Sequence, residues 1–343
     1  MKVAIVILNW NGKKFLETFL PSVLANNTSF AEVILADNAS SDDSVSFVQN
    51  KYPSIRIIQN AVNGGFAKGY NDALKHVSAE YFVLLNSDIE VTPHWLESIV
   101  ALMDADQSIA ACQPKIKDYN NKLLFEYAGA AGGFIDKFGY PFCRGRILNS
   151  IEEDKNQYND LREVFWATGA CLFIRATCFF EAKGFDEDLF AHMEEIDLCW
   201  RLKNRGYKIM YCPSSTIYHV GGGTLKKTSP HKTFLNFRNN LIVLCKNHPP
   251  RYFFAKLFTR MVMDGIAGCK FLAAGQFGHF VAVIKAHFSF YASLGATLKK
   301  RKALKGEIKE YTTTAVYLHS IVADFYLRGK KTFTEIDLKD RFM

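Results

Sequence analysis

The chain has 343 residues, 49% of them hydrophobic and 22% charged, the balance of a globular protein with room for one core of about 220 residues and a smaller appendage. Eight scattered cysteines without a C-x-x-C pair, several inside apolar runs, exclude a disulfide framework and a zinc site and point to reduced, cytosolic thiols. The net charge is +8, and the basic residues thicken toward Lys299-Lys300-Arg301-Lys302 among Phe-rich apolar sequence, which suits an anionic membrane surface and argues against nucleic acid.

The opening run Val3-Ala4-Ile5-Val6-Ile7-Leu8-Asn9 is too short for a signal peptide and passes into a polar loop, so it reads as a first strand. Further apolar runs at 32–36, 55–58 and 81–85 each end in polar turn residues, with helix-length stretches at 13–26, 44–51 and 69–77 between them. Strands alternating with helices predict a mostly parallel sheet of βαβ units, and strands covered on both faces read as continuous apolar runs. A helix is expected from Pro93 to about Asp104. The Gly- and Asn-rich stretch 112–160 carries no clear periodicity and is taken as an acceptor-facing insertion. Order returns with a strand over 165–175, a helix over 193–204 stopped by Gly206, and two short extended runs around Pro213 over 208–220, ending in Gly221-Gly222-Gly223. From about residue 226 the chain becomes helical. Lys270 and Lys285 bracket only fourteen apolar residues, short of a bilayer span, so an amphipathic region in the membrane interface is expected.

Strand-end loops carrying Asn9, Asp37, Asn63 and Asp88 converge on one crevice, where α/β proteins hold nucleotides. Asn9-Trp10-Asn11-Gly12 is not a G-x-G-x-x-G turn, which argues against a dinucleotide-dependent dehydrogenase. Taken singly, Asp37, Asn63 and Asp88 also suit ordinary Asx turns or helix caps. His219 also suits a buried histidine, and Glu194-Glu195 a helix N-terminus, with Asp197 pairing Arg201 one turn on.

Together the segments Val6-Ile7-Leu8-Asn9-Trp10-Asn11-Gly12, Asp37-Asn38-Ala39-Ser40-Ser41-Asp42, Asn63-Gly64-Gly65-Phe66-Ala67-Lys68-Gly69-Tyr70-Asn71 and Asn86-Ser87-Asp88 resemble the inverting glycosyltransferases of family two. Thr168-Gly169-Ala170, Glu194-Glu195-Ile196-Asp197 and His219 follow in order, which is most similar to the rhamnosyltransferase-type enzymes of bacterial surface polysaccharides. The resemblance covers about residues 1–240. It implies a GT-A fold, an α/β Rossmann-like sheet, as a catalytic domain over 1–225, with a helical C-terminal region over 226–343. It also implies a nucleotide-diphosphate sugar donor bound by Asn9, Asn11, Asp37, Asn38, Ser40, Asn63, Gly65, Phe66, Asn71, Asn86, Ser87, Thr168 and Gly169, with Trp166 beside the last two. Asp88 and His219 would hold a divalent cation, Mn²⁺ or Mg²⁺, the imidazole favouring Mn²⁺. Asn86 stands where many relatives carry the first Asp of a D-x-D. Glu195, in a position usually Asp, would be the base that takes the acceptor's proton, with Glu194 beside it. Lys226, Lys227 and Arg238 could close on the diphosphate. The acceptor would be a glycan or a polyprenyl-linked saccharide, reached at the inner leaflet of the cell membrane by a cytoplasmic, peripheral enzyme. Two rivals are a nucleotidyltransferase, which would ordinarily carry an Arg in its first loop, and a catalytically silent sugar-nucleotide-binding scaffold, suggested by Asn86 and Glu195.

Overall fold

The computed structural model describes residues 1–221, 229–336 and 342. The chain opens β1 (Val3–Asn9), α1 (Lys13–Ala25), β2 (Ala31–Asp37), α2 (Ser44–Lys51), β3 (Arg56–Gln59), α3 (Gly65–Leu74), β4 (Tyr81–Asn86), β5 (Ile89–Val91), α4 (Glu97–Ala105) and β6 (Ile109–Asp118). Short strands follow: β7 (Gly133–Asp136), β8 (Pro141–Cys143), β9 (Arg146–Ile147), β10 (Ser150–Ile151) and β11 (Arg162–Val164). Next come β12 (Cys171–Arg175), α5 (Ala176–Glu181), α6 (Glu194–Asn204) and β13 (Lys208–His219). The described remainder is α7 (Pro230–Asn247), α8 (Phe253–Ala273), α9 (Phe277–Lys305), β14 (Val316–Tyr317) and α10 (Ile321–Tyr326).

The main sheet has the order β11-β13-β6-β12-β4-β1-β2-β3, with β5 on β13. β3, β2, β1 and β4 are parallel neighbours, whereas β12 lies antiparallel between β4 and β6. Alternate residues of the apolar runs serve opposite faces, as the twofold repeat of a strand requires. Val3, Ile5 and Ile7 pack with α1, α2 and α4. Ala4 and Val6 face a second cluster that continues through α3 and α6 into α7, α8 and α9. The core therefore runs across the expected boundary near residue 225, which itself lies outside the described residues.

Several sequence expectations change in detail. The stretch 119–160 is an ordered insertion, whose β10-β9-β8-β7 ribbon is completed by β14 from the C-terminal region. Its strands are only two to four residues long, too short to leave a readable period. The expected strand over 165–175 is interrupted: β11 ends at Val164 and β12 begins at Cys171. The runs around Pro213 are one strand with a register shift between Cys212 and Thr216, the kind of irregularity at which a proline is tolerated in a sheet. Helix α3 starts at Gly65, earlier than expected. The apolar stretch after Lys270 is divided by the turn between α8 and α9. By length and composition α9 reaches what a bilayer span requires, which corrects the fourteen-residue estimate. It nevertheless buries Ala282, Val283, Ala286 and Phe290 in the protein.

Candidate active site

Parallel pairing sets Asn9 beside Asp37, Asp37 beside Gln59 and Leu8 beside Asn86, so four polar loops leave the same end of the sheet. Asn9 Nδ2 donates to Asp37 Oδ1 and to Ser40 Oγ, both at 3.1 Å. Ser40 Oγ accepts from the Asn11 amide at 2.9 Å, and Asn11 Oδ1 accepts from the Ser41 amide at 2.7 Å. Asn38 Nδ2 donates to Asn63 Oδ1 at 2.9 Å and takes a bond at its own Oδ1 from Asn60 Nδ2 at 3.1 Å. Asn60 is a participant that sequence reasoning missed, although it follows β3 directly and the strand-tip rule would have found it. Asn9 Oδ1 is buried without a hydrogen-bond partner, an acceptor that a bound polar ligand would satisfy.

Other donor-side candidates have structural duties. Gly65 has φ +75°, and a Cβ there would meet the Phe190 carbonyl at 2.6 Å. That close approach lets the Phe190 carbonyl accept from the amides of Phe66 and Ala67 at the start of α3. A Cβ on Gly169 would meet the Phe66 ring at 2.9 Å, so those two positions adjoin. Thr168 is buried, its amide bonded to Gln113 Oε1 and its hydroxyl to the Ala170 amide. Asn71 departs from the donor-side expectation: its amide exchanges hydrogen bonds with the backbone of Phe185 at 2.9 Å in both directions. Trp166 is likewise a core residue whose indole donates to the Phe134 carbonyl.

Asn86 ends β4, and Ser87 and Asp88 form the turn between β4 and β5. β13 pairs His219 with Ile89, so His219 Nε2 comes within 3.1 Å of Asp88 Oδ1, and both side chains are buried. Glu126, also buried and unforeseen, places Oε2 3.5 Å from His219 Nδ1. Burial alone would lower the imidazole pKa and raise that of Asp88. Instead, Glu126 and Asp88 push His219 up to about 10, and the imidazole holds Asp88 below its ordinary value. The pocket thus favours positive charge. Among the described residues no group of three or more His, Cys, Asp and Glu side chains could cage a metal. A bound cation would have to displace the imidazole proton; Asp88 and the neutral imidazole then offer one oxygen and one nitrogen donor, a set that suits Mn²⁺ better than Mg²⁺, with water and substrate oxygens in the remaining positions.

Glu194 and Glu195 occupy the first turn of α6. Each has a buried carboxylate oxygen without a hydrogen-bond partner. Burial pushes Glu195 up to about 7 and raises Glu194 further, with Glu195's charge adding to the latter. Glu194 is enclosed, whereas Glu195 is half-buried. Asp197 belongs to the framework: it pairs with Arg201 at 2.8 Å and Lys246 at 2.7 Å, and Asn247 donates to it.

The turn ahead of α6 is strained, with Phe190, His192 and Met193 at φ 61°, 69° and 76°. Such backbone costs about 1–3 kcal/mol per residue and persists only where the surroundings over-determine it. Asn239 Nδ2 lies 2.8–2.9 Å from the carbonyls of Leu189, Ala191 and His192. Arg238 donates to the Asp188 carbonyl and to Asn239 Oδ1, so its guanidinium braces this turn, contrary to the expected role at a diphosphate. Lys226 and Lys227 lie outside the described residues.

The family model described as "Glycosyl transferase family 2" matches residues 4–177. The chain belongs to glycosyl transferase family 2. It is 26% identical over 271 residues to the N-acetylglucosaminyl-diphospho-decaprenol L-rhamnosyltransferase of Mycobacterium tuberculosis (strain CDC 1551 / Oshkosh), covering 73% of this chain and 82% of that protein. It is 24% identical over 226 residues to the rhamnosyltransferase WbbL of Escherichia coli (strain K12), covering 63% and 83%. Among solved structures it is similar to GalNAc-T7 with UDP, GalNAc and Mn²⁺, at a TM-score of 0.56 and 17% identity. The match covers 71% of this chain and 47% of that one. The expected GT-A fold with C-terminal helices and the family are thereby established, with likeness to rhamnosyltransferases; the sheet, expected to be mostly parallel, is mixed, because β5, β11 and β12 pair antiparallel.

Proposed function

We propose that the chain is a metal-dependent inverting glycosyltransferase, moving a hexose from a nucleotide diphosphate to a hydroxyl of a glycan or polyprenyl-linked saccharide. The observation that carries this reading is the buried Asp88–His219 pair, two donors 131 residues apart in sequence and 3.1 Å apart in space. Asp88 and His219 would hold Mn²⁺ or Mg²⁺, whose charge offsets that of the departing diphosphate. The Asn9, Asn11, Asp37, Ser40, Asn38 and Asn63 network is the nucleoside side, with Asn86 and Ser87 next to the metal ligand and Gly65, Phe66, Thr168 and Gly169 shaping the wall. Glu195 is the base because it alone of the two glutamates keeps an open side. It takes the proton of the acceptor hydroxyl as the new bond from oxygen to the anomeric carbon forms and the bond to the diphosphate breaks. A carboxylate titrating near neutrality suits that transfer. Rhamnose as the sugar rests on the likeness to the two rhamnosyltransferases.

The division of labour is a catalytic part over 1–225, whose insertion within 112–160 faces the acceptor, and a membrane-docking helical part over 226–343. Residues 251–305 contain ten Lys and Arg and one acidic residue, Asp264. Their net +9 exceeds the whole chain's +8, leaving the rest at −1. On α8, Phe254 and Phe258 are 81% and 65% exposed, and Val262 and Ile266 continue the stripe at four-residue spacing. On α9, Phe277, Ile284, Phe288 and Tyr291 are also exposed. Apolar surface on this scale, on neighbouring helices rich in Lys and Arg, suits docking in the plane of an anionic leaflet. That is where a polyprenyl-linked acceptor resides, and the cytoplasmic leaflet is the side on which nucleotide sugars are found.

The test is to incubate the protein and Mn²⁺ with UDP-, dTDP- and GDP-linked sugars and a short-chain polyprenyl-diphosphate saccharide, reading the product by NMR. A single new linkage of inverted anomeric configuration, lost in Glu195→Gln, supports the reading. A product of retained configuration, or equal product from Glu195→Gln, contradicts it.

A further inference from the structure

The left-handed turn 190–193 sits between two grips. On one side the Phe190 carbonyl is bound by the amides that open α3. On the other, Asn239 of α7 reaches three carbonyls of the turn, and Arg238 both orients that amide and binds the Asp188 carbonyl. Asn239 is fully buried, and three carbonyls sharing one amide nitrogen leave its donors no other work. Immediately outside the turn, Asp186 pairs with Lys246 of α7 and with Lys300 of α9, and Lys300 also reaches Asp188 at 2.5 Å. Lys246 in turn pairs with Asp197 of α6. The helices that follow residue 229 thus hold the backbone from which Glu194 and Glu195 project.

We propose that Asn239 is a positioning residue for the proton-accepting carboxylate, locking the turn 189–193 so that the first turn of α6 presents Glu195 to the acceptor. The inference rests on the reading of Glu195 as the base. It adds that the C-terminal helices, besides any docking role, are part of the catalytic geometry. The turn alone, with three non-glycine residues at positive φ, has no local reason to adopt this path, and no cap from Met193's side chain supports the start of α6.

The experiment compares Asn239→Leu, of similar volume without donors, with Asp324→Asn, which removes buried charge in α10 away from the turn. Deuterium exchange of the substrate-free full chain is read over 188–197. Turnover is read as nucleoside diphosphate release from UDP-glucose, dTDP-rhamnose and GDP-mannose, whichever is consumed. Asn239→Leu is expected to exchange about tenfold faster over 188–197 and to lose about 100-fold in kcat, the penalty for a reacting group displaced by about 1 Å. Its KM for the donor stays within about threefold, because Asn239 itself makes no bond to the nucleoside-side network. Asp324→Asn is expected to change neither. Exchange or kcat in Asn239→Leu that matches Asp324→Asn, while Glu195→Gln is inactive, overturns the proposal alone. Full turnover in Glu195→Gln overturns the base assignment and this proposal with it.

Discussion

Glu195 and Asp197 stand two residues apart on one helix turn and do opposite work because of what faces them. Among the described residues no positive group is drawn to Glu195, and burial holds its carboxyl near pH 7. Asp197 meets Arg201 and Lys246, which outweigh its burial and keep it ionised below the ordinary range. Glu195→Gln is therefore expected to lower kcat by about 10²- to 10⁴-fold with donor affinity retained, measured by steady-state kinetics and calorimetric titration. In the wild type, kcat/KM should rise with pH through about 7 as the base loses its proton. Stability moves the other way. Glu195's folded pKa is raised, so the native state binds more protons than the unfolded chain between about pH 4.5 and 7, and unfolding free energy falls across that window. Urea denaturation at several pH values should show a shallower fall in Glu195→Gln. Asp197→Asn leaves Arg201 without its carboxylate, whereas Lys246 keeps Asp186, and is expected to cost about 3 kcal/mol, read from the same denaturation curves.

At the scale of elements, strand tips were legible because a parallel sheet covered on both faces leaves unbroken apolar runs, and the polar residues ending them fall at one edge. Asp37 and Asp88 follow from that logic, whereas His219, at the end of a run broken by Pro213 and its serines, was carried by the family resemblance. Glu126 and Asn239 were not legible: one sits in an insertion of very short strands, the other on a helix buried along much of its length, and only tertiary packing gives either a partner. The α8–α9 pair was legible as amphipathic, but its length was misjudged because Lys285 lies inside α9 and does not end it. Exposed side chains on this pair should be replaceable without loss of fold, since surface changes stay within about 0.5 kcal/mol. Phe258→Glu combined with Phe288→Glu is expected to weaken co-sedimentation with phosphatidylglycerol vesicles by more than about tenfold, each buried aromatic being worth about 1.5–3 kcal/mol. Unchanged sedimentation would remove the docking face.

At the scale of the whole molecule, one continuous core joins the main sheet to the helices that carry the chain's excess positive charge. A nucleotide diphosphate and a divalent cation should therefore stabilise the entire chain as one cooperative unit. The most direct test is the melting temperature of the purified protein with UDP, dTDP and GDP, with and without Mn²⁺, for wild type and Asp88→Ala. At one hundred times its Kd a ligand adds about 2.7 kcal/mol, a rise of about 4 °C in a chain of this size. The account predicts that rise for one nucleotide, only with Mn²⁺ present, and its loss in folded Asp88→Ala. Stabilisation that ignores Mn²⁺, or that survives Asp88→Ala undiminished, would contradict it.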